Sequence, residues 1–394
     1  MIYLCPLTVF KDRNRLSPRY VPKTLLYREN QLAILFNFFK DVVEDPSKVY
    51  LNPVQIIGGI GTGKTSTSLR FAEDLQSKAK DRSINLRHVY ANLKLQGSSR
   101  TILYRYILDK TAPEIRTANL SADEMLYQLV KYLESRNLYL IISLDEIDYF
   151  MKHTKEHIVY DLTRINELSP EKPCRIIGLI VISRGIDYYN LLEKSELSTL
   201  GRNYIEFKPY LAGQIRDILL TRSEEAFKKG AVSEDIIEYI ADITAAPPIN
   251  GDLRYALDLL LYAGNIADNQ GSDTLKPDYV RRVHGEVYHE ITSQDIIDLP
   301  SDEKAVLLAI ARALRGKRST YVSFEDIRNE CALVSEELGI KIVNVDYAVQ
   351  DLSDRAIIDI KSLIQIGISD LQTEDLIRYL DNLTDRVKGD INKR

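Results

Sequence analysis

The sequence has few of the residues that build disulfide-bonded, metal-binding or membrane proteins. Its three cysteines, Cys5, Cys174 and Cys331, are scattered without metal-ligand spacing, and its five histidines form no ligand cluster. No apolar run approaches the ~20 residues of a membrane-spanning helix. Residues 1–6 become polar too soon for a signal peptide. These absences predict a protein of a reducing cytoplasm that has no membrane partner.

The charge is nearly balanced, and its distribution is more informative than its sum. The formal net charge is −5, which does not indicate a nucleic-acid-binding protein. Residues 1–30, however, carry six cations against only Asp12 and Glu29. Such a basic, extended lead can lie along phosphates, or it is a solvated segment attached to a domain. The cations are Lys11, Arg13, Arg15, Arg19, Lys23 and Arg28.

A glycine-rich motif follows the apolar run 54–57. Residues 58–65 read Gly-Gly-Ile-Gly-Thr-Gly-Lys-Thr, which is the G-x-x-x-x-G-K-T pattern of a phosphate-binding loop. Glycines let the backbone wrap a phosphate, and the loop N–H groups with the next helix N-terminus supply positive potential. The pattern predicts a strand over 54–57 and a helix over 66–78. The predicted phosphate contacts are Gly58, Gly61, Thr62, Gly63, Lys64, Thr65 and Ser66.

A second motif supplies the carboxylates that a bound nucleotide requires. The largely apolar run 138–144 is typical of a central parallel strand, and Asp145 and Glu146 follow it directly. Ligands bind at the carboxyl ends of strands in such sheets. Asp145, with the Thr65 hydroxyl, is therefore predicted to hold Mg²⁺, and Glu146 to orient the water that attacks the γ-phosphate. The alternative is an acidic strand-to-helix turn in which Asp148 caps the helix.

The remaining periodicity predicts three further regions. Apolar runs at 87–91, 175–183 and 203–207 fit the same sheet, and their alternation with helical stretches predicts a doubly wound parallel arrangement. From residue 212 to residue 295 the periodicity is helical, with stretches at 214–229, 233–245, 252–267 and 276–292. The predicted domains are a basic lead over 1–30, an α/β nucleotide-binding domain over 31–210, a helical lid over 211–295 and a last domain over 296–394.

The last domain has the order of a winged helix. Helices are predicted over 301–314, 324–338 and 345–355, with Ser323 and Asn344 as N-caps and Gly339 ending the second helix. A basic turn is predicted at 315–321, a hairpin over 357–360 and 363–368, and a closing helix over 370–383. Three helices followed by a hairpin are the winged form of helix-turn-helix.

The order of these features resembles the archaeal origin-recognition and replication-initiator family of AAA+ ATPases. These are relatives of the eukaryotic origin recognition complex and of the cell-division-cycle helicase loader. The resemblance rests on Arg28-Glu29 before a helix, the phosphate loop, the Leu-Asp-Glu-Ile-Asp strand end, the run 251–254 (Gly-Asp-Leu-Arg) and the winged C-terminus. It implies an AAA+ parallel-sheet P-loop domain, an all-helical lid and a winged helix, with ATP or ADP and Mg²⁺ as cofactors.

The resemblance also implies roles for three residues near or after the α/β domain. Arg254 matches the lid arginine that reaches the γ-phosphate and contributes to catalysis. Tyr210 and Arg222 match a Phe-x-Pro-Tyr…Arg stretch that contacts the nucleotide. The alternatives are an ion pair between Arg254 and Asp258 at a helix start, and interdomain packing for Tyr210 and Arg222.

Two positions depart from the family pattern. Arg184 follows Ile182-Ser183 where the family has an asparagine, and a guanidinium cannot accept a hydrogen bond as an amide does. Residues 193–196 (Glu-Lys-Ser-Glu) replace the stretch that usually carries an arginine finger, and the ammonium of Lys194 lacks the planar fork. A finger supplies ~10³–10⁵ in rate. We therefore expect this chain to bind ATP, to hydrolyse it slowly and not to activate a neighbour fully.

DNA contacts are predicted in two places. The third helix of the winged domain, its end and the wing tip present Asn344, Tyr347, Gln350, Arg355 and Lys361. Asn and Gln side chains can read adenine, and tyrosine can contact phosphate. Ser98, Ser99 and Arg100, after the second strand, can contact the DNA backbone or simply cap a helix. Residues 300–394 carry 14 Lys and Arg against 17 Asp and Glu, which leaves a protein-docking role open.

These features predict an ATP-dependent replication initiator that binds double-stranded origin DNA as a slow ATPase switch. A paralogous subunit and a replicative helicase are the expected partners, and the nucleoid in the cytoplasm is the expected location. The alternative is an AAA+ regulatory or adaptor ATPase whose winged helix binds protein. A clamp-loader-like ATPase is disfavoured by the winged C-terminus.

Overall fold

The computed structural model describes residues 8–97, 99–168, 174–287, 291, 293–368 and 371–391. They form two compact units. The sheet unit contains residues 21–210 and 251–253, and the helical unit contains the described residues of 8–20, 211–250 and 254–391. No helix within these ranges is long and apolar enough to cross a membrane.

The sheet unit is a parallel sheet covered by helices, as predicted. Its five strands lie in the order β2-β3-β4-β1-β5. The elements, in chain order, are α1 (Glu29–Phe38), β1 (Asn52–Gly58), α2 (Lys64–Asp81), β2 (Leu86–Asn92), α3 (Leu93–Gln96), α4 (Arg100–Thr111), α5 (Ala122–Ser135), β3 (Tyr139–Asp145), α6 (Ile147–His153), α7 (Ile158–Thr163), β4 (Ile176–Ser183), α8 (Lys194–Leu200) and β5 (Tyr204–Phe207).

Burial explains the apolar runs of the sheet. Every residue of β3 and β4 is buried, because separate apolar clusters cover the two faces of the sheet. The edge strand β5 instead alternates between exposed and buried residues. The helix expected after Arg28-Glu29 is short, since α1 ends at Phe38 and a 3₁₀ helix over Lys40–Val43 follows. Phe39, between them, is buried with its ring against Gly178 of β4.

The helical unit contains the lid helices and the winged helix. Its elements are α9 (Ala212–Ala226), α10 (Glu234–Ala245), α11 (Leu253–Asn269), α12 (Pro277–Val287), α13 (Ser293–Ile297), α14 (Ser301–Lys317), α15 (Phe324–Leu338), α16 (Val345–Asp354), β6 (Asp359–Ser362), β7 (Gln365–Gly367) and α17 (Thr373–Ile391). The three helices and antiparallel hairpin confirm the predicted winged order. The end of the helix predicted over 276–292 lies outside the described residues.

Two predicted boundaries in the winged helix are wrong. The basic turn was expected at 315–321, but α14 continues to Lys317 and ends where Arg318 adopts a left-handed conformation (φ 52°). The closing helix also extends well past residue 383. The three predicted caps are confirmed: Ser323 and Asn344 accept from backbone N–H groups of α15 and α16, and Gly339 ends α15 with φ 65°.

Residues 8–20 of the basic lead are attached to the lid helices. Lys11 N–H donates to the Ala226 carbonyl (2.8 Å), and Phe10 stacks on Phe227 with ring centroids 4.6 Å apart. Arg13 pairs with Asp268 of α11. A 3₁₀ turn over Arg13–Leu16 interrupts the extended backbone. Residues 8–20 therefore do not form a free arm.

Candidate nucleotide site and nucleic-acid interface

The loop between β1 and α2 requires glycine at two positions. Gly61 and Gly63 have φ values of 66° and 87°, in the left-handed region that favours glycine. A β-carbon at Gly61 would collide with the Asp252 carboxylate, and one at Gly63 would lie 2.7 Å from the Tyr210 hydroxyl oxygen. Both conformation and close approach therefore exclude a side chain at Gly61 and Gly63.

Lys64 lies inside this loop. Its Nζ donates to the carbonyls of Gly58 and Gly59, each at 2.6 Å. Burial lowers the pKa of Lys64, opposed by the negative charges of Asp145 and Glu146. Thr62 Oγ1 donates to the Gly59 carbonyl at 2.9 Å and so closes the loop on itself. The ammonium therefore lies against the loop backbone, and its contact with the outer phosphates of a nucleotide stays a prediction.

The two predicted metal-binding residues lie together. Thr65 Oγ1 is 2.6 Å from Asp145 Oδ2, although 80 residues separate them. The Tyr90 hydroxyl donates to the same oxygen at 2.7 Å, and Glu146 N–H donates to Oδ1 at 2.8 Å. Burial raises the pKa of Tyr90, so its hydroxyl remains a donor. A hydroxyl and a carboxylate at the mouth of a phosphate loop are the oxygen donors that Mg²⁺ prefers, so the residues fit that ion.

Glu146, the predicted catalytic carboxylate, is held by two cations. It follows β3 in a left-handed conformation (φ 62°, ψ 41°), unusual for a residue with a side chain. Its Oε2 lies 3.2 Å from Arg184 Nη2 and 3.5 Å from Lys94 Nζ. Arg184 comes directly after β4, which lies between β1 and β3. Arg184, which departs from the family pattern, therefore forms an ion pair with the predicted catalytic residue Glu146.

Arg28 contacts the phosphate loop, although the sequence marked it only as a cation of the basic lead and as part of Arg28-Glu29 before a helix. It is 5% exposed, and its Nε donates to the Thr62 carbonyl (2.9 Å) while Nη2 donates to the Lys208 carbonyl (2.8 Å). Its guanidinium lies 3.9 Å from the centroid of the Tyr210 ring. Burial lowers the pKa of Arg28, with the negative charge of Tyr210's ionised form opposing that shift. Arg28 therefore links the phosphate loop to the segment after β5. No local sequence pattern predicted these two hydrogen bonds.

The other predicted nucleotide contacts are divided between the units. Tyr210 is buried beside Gly63, and Ser66 lies in the first turn of α2. Arg222 lies in the helical unit, where it is stacked 4.5 Å from the Tyr20 ring centroid and where burial lowers its pKa. Arg254 is exposed in the first turn of α11. The roles of Arg222 and Arg254 towards a nucleotide stay predictions.

The segment predicted to contact DNA after β2 is tied to neighbouring carboxylates. Ser98 lies outside the described residues, and Ser99 caps α4 by accepting from Ile102 N–H at 3.3 Å. The Arg100 guanidinium lies 3.3 Å from Asp161 and 3.4 Å from Asp123. Arg100 also lines an open cavity of about 640 Å³ with charged neighbours. The helix-cap alternative is thus present at Ser99, and the DNA contacts stay predictions.

The stretch that replaces the arginine finger lines the same cavity. Lys194 is exposed and begins α8, while Glu196 is fully buried and accepts from Glu193 N–H at 2.9 Å. The His157 ring nitrogens lie 3.5 Å from Glu196 and 3.9 Å from Glu193. This edge of the sheet unit therefore exposes the ammonium of Lys194 beside the carboxylate of Glu193.

Polar side chains of the winged helix predicted to contact DNA already have partners within the helical unit. Asn344 accepts from Tyr347 N–H as the cap of α16 (3.1 Å), and Gln350 donates to Asp354 (2.8 Å). Arg355 pairs with Asp351 at 2.6 Å. Tyr347 is 64% exposed. Three of the five predicted contact residues, Asn344, Gln350 and Arg355, therefore have local partners on or next to α16, and Tyr347 is exposed.

The fifth position, Lys361, contacts the lid. Its ammonium lies 2.6 Å from Asp242 and 3.5 Å from Glu238, both on α10. The Tyr321 hydroxyl donates to the same Asp242 at 3.1 Å. Behind this contact, the buried Arg281 of α12 donates to the carbonyls of Ile368, Ser319 and Thr320 at 2.7 to 3.3 Å. Lid and winged helix thus share a hydrogen-bonded interface inside one unit.

Comparison with known proteins identifies the two characteristic parts of the chain. Residues 52–185 match an AAA domain, and residues 216–285 match the Cdc6 AAA+ ATPase-type lid domain. The chain is 32% identical over 338 residues to ORC1-type DNA replication protein 2 of Sulfurisphaera tokodaii, covering 84% of this chain and 80% of that protein.

Solved structures agree with this assignment. The crystal structure of Cdc6p from Pyrobaculum aerophilum has a TM-score of 0.82 and 29% identity, over 96% of this chain and 99% of that one. The Aeropyrum pernix ORC1 protein in complex with DNA has a TM-score of 0.63 and 27% identity, over 95% and 98% of the two chains. With its nucleotide-binding AAA domain, Cdc6-type lid and winged helix, this chain belongs to the ORC1/Cdc6 family of AAA+ replication initiators.

Proposed function

We propose that the chain binds ATP with Mg²⁺ and, in that state, binds double-stranded origin DNA as a slowly hydrolysing switch beside a paralogous subunit. The proposal is supported by two contacts of the predicted site, that of Thr65 with Asp145 and that of Arg184 with Glu146. Lys64 lies in the glycine loop and Thr65 contacts Asp145, which favours nucleotide binding, while Arg184 lies 3.2 Å from Glu146, the predicted catalytic carboxylate. A switch needs a change of state rather than rapid turnover.

The chemistry follows from these side chains. Glu146 accepts a proton as the water oxygen attacks the γ-phosphorus, and the bond to the bridging oxygen breaks to leave ADP and phosphate. Thr65 and Asp145 would hold Mg²⁺, which when bound neutralises charge on the phosphate oxygens. Arg184 donates a hydrogen bond to Glu146 Oε2, the oxygen that would accept the proton from water. Proton transfer is therefore slow until this ion pair separates.

Two features support a partner subunit. The stretch 193–196 offers Lys194 where the family offers an arginine, so this chain would be a weak activator of a neighbouring site. The winged domain is not basic, and its single wing-tip cation is engaged by Asp242. A paralogue can supply both the missing guanidinium and additional DNA contacts. The replicative helicase is a further candidate partner, and chromosomal DNA would place the protein at the nucleoid in the cytoplasm.

The first experiment tests the nucleotide site. Equilibrium dialysis should show ATP and ADP binding, and Lys64→Ala should lower the affinity at least ~tenfold, because charge-assisted hydrogen bonds contribute ~1.5–3 kcal/mol each. Lys80→Ala, which removes an exposed lysine from the last turn of the same helix, is the matched control. Equal retention by the Lys64 variant and the parent would refute the site.

The second experiment tests DNA binding. A footprint over candidate origins, with and without ATP, should show ATP-dependent protection that weakens steeply with salt, since phosphate contacts release counterions. Addition of a paralogue should strengthen it. Equally stable binding by this chain alone would argue against the partner, and no footprint under any condition would refute the DNA role.

A specific observation favours the alternative of a protein-binding adaptor. Leu363 and Ile364 at the wing turn are 74% and 72% exposed, whereas Lys361 beside them is paired with the lid. Exposed apolar side chains fit a protein surface better than a phosphate backbone. Retained ATP binding together with absence of any footprint would support this alternative.

A further inference from the structure

The cavity beside α7 and α8 has a buried carboxylate behind its wall, and one oxygen of this carboxylate is unused. Glu196 is fully buried, and its Oε2 accepts from Glu193 N–H at 2.9 Å. Its Oε1 has no hydrogen-bond donor among the described residues. Such an oxygen costs free energy, because the charge has left water without gaining a donor. A buried oxygen of this kind indicates a ligand that donates to it.

His157 connects this oxygen to the cavity. Its ring lines the cavity, with Nδ1 3.5 Å from Glu196 Oε1 and Nε2 3.9 Å from Glu193 Oε1. An ordinary imidazole is largely neutral at about pH 8, so it is not a permanent cation. Its side chain is 51% exposed, so it can turn aside without disturbing the core. Within the described ranges, no lysine or arginine forms an ion pair with either carboxylate.

The lining of the cavity favours a cationic ligand. It carries three carboxylates, two permanent cations and the His157 ring around a volume of about 640 Å³, a size typical of ligand pockets. One of the two cations, Arg100, is already paired with Asp161 at 3.3 Å and with Asp123 at 3.4 Å. The other, Lys155, is exposed. With the buried carboxylate behind the imidazole, the negative charges outnumber the positive ones, which attracts cations and repels anions.

The surroundings of the cavity are typical of a protein interface. Tyr160 lines the cavity and is 37% exposed, and Leu191, two residues before Glu193, is 44% exposed. Large side chains of this type around a desolvated charge are characteristic of protein interfaces, where tyrosine and arginine are enriched. The occupant that these features favour is a side chain of another protein.

From this geometry we infer that the cavity binds the guanidinium of an arginine side chain from a partner protein. A guanidinium is planar like an imidazole, is always charged and carries five N–H donors in a fixed fork. It can therefore donate to two carboxylates that lie on different sides of it. Glu196 Oε1 is the inner acceptor and Glu193 is the outer acceptor, while the His157 ring turns towards solvent. The inference does not depend on nucleotide or DNA binding.

Titration of the full chain with N-acetyl-arginine amide at about pH 8, followed through the histidine ring signals in nuclear magnetic resonance spectra, tests the site. This probe carries a guanidinium and no other charge. It should shift the His157 signals, which the variant His157→Gln identifies, and the shift should saturate. Glu196→Gln keeps an acceptor for Glu193 N–H but removes the charge, so the midpoint concentration should rise at least ~tenfold.

A second variant and a control make the result independent of the buried position. Glu193 is 65% exposed, so Glu193→Gln leaves the core intact and should raise the midpoint about two- to fivefold. Glu73→Gln removes a carboxylate of α2 that is 61% exposed and does not line the cavity, so this variant should behave as the parent. Absence of any His157 shift in the parent, or an unchanged midpoint in both cavity variants, would overturn the inference.

Three further probes identify the class of ligand. N-acetyl-citrulline amide has the same shape without the charge and should cause no shift. N-acetyl-lysine amide should bind more weakly than the arginine probe, because an ammonium lacks the planar fork. Free arginine should bind no more tightly than the capped form, since a residue within a protein chain has no α-amine or α-carboxylate.

The outcomes of these probes decide between guanidinium docking and its alternatives. Equal midpoints for the arginine and lysine probes would indicate general attraction of cations, and tighter binding of free arginine would indicate a small-molecule site. Either result overturns the docking of a protein arginine. The proposed function would stand in both cases, because nucleotide retention and the DNA footprint are measured separately.

Discussion

The most decisive perturbation is removal of Arg184, because the two possible roles of this residue predict opposite signs. If Arg184 restrains Glu146, Arg184→Ala should hydrolyse ATP faster than the parent. If Arg184 instead stabilises negative charge on the reacting phosphate, the same variant should be slower. Arg184 stands where the family has an asparagine, so the measured rate also shows how this difference affects hydrolysis.

The expected magnitude follows from the geometry of the pair. The Arg184 side chain is 45% exposed and that of Glu146 is 24% exposed, at a separation of 3.2 Å. A pair this open to solvent contributes ~0.2–1 kcal/mol, so its loss should raise the rate by about fivefold at most. Arg184→Asn should exceed Arg184→Ala, because an amide can both donate to and accept from the attacking water.

The assay is single-turnover hydrolysis with ATP affinity measured on the same samples. Arg184 also contributes a positive charge that lowers the pKa of Lys64, a smaller cause than burial, so its removal should leave ATP affinity unchanged or slightly altered. Arg202→Asn removes an exposed arginine elsewhere in the sheet unit and is the control. A rate lowered in both Arg184 variants, at unchanged ATP affinity, would refute the restraint.

Two further predictions concern stability. Burial lowers the pKa of His88 from 6.5 to about 4, and its Nε2 lies 2.8 Å from Ser143 Oγ in the sheet core. The unfolded chain therefore binds the proton more readily, so the stability that neutral His88 contributes is full above pH 6.5 and is lost as pH falls towards 4. Denaturant unfolding across that window should show a shallower pH dependence for His88→Gln, and an unchanged slope would contradict the assignment. Arg281→Met should lower the unfolding free energy of the helical unit by ~2–5 kcal/mol, because three carbonyls lose a buried donor. Calorimetry with Arg282→Met as the exposed neighbour control measures this, and equal midpoints for both variants would refute it.

The phosphate loop and its acidic partner were predictable because their patterns are local. Spaced glycines after an apolar run indicate a strand, a loop and a helix, and carboxylates after a buried strand lie at the edge where ligands bind. The contact of Thr65 with Asp145 follows from these two rules, since parallel strands end at the same edge. The caps Ser323, Gly339 and Asn344 were predictable for the same reason, because each acts within its own turn.

Other features required the folded chain. The sheet order β2-β3-β4-β1-β5 cannot be inferred from strand patterns, which carry no record of their neighbours. The ends of helices also depend on tertiary packing. At Phe39, between α1 and the 3₁₀ helix, the ring packs against Gly178, a contact that local propensity does not predict. Tyr90 appeared only as part of a strand, and its bond to Asp145 depends on the register between β2 and β3.

The sequence by itself predicted the class of chemistry, which is nucleotide binding, because the glycine-rich loop and the strand-end carboxylates are local patterns. Only the tertiary structure showed which lysine and arginine side chains contact the residues of that predicted site. Arg28 supports the loop, while Arg184 and Lys94 hold Glu146. The energy of an ion pair depends on the distance between the charges and on their exposure to solvent. Both are set only when strands that are distant in sequence pack together.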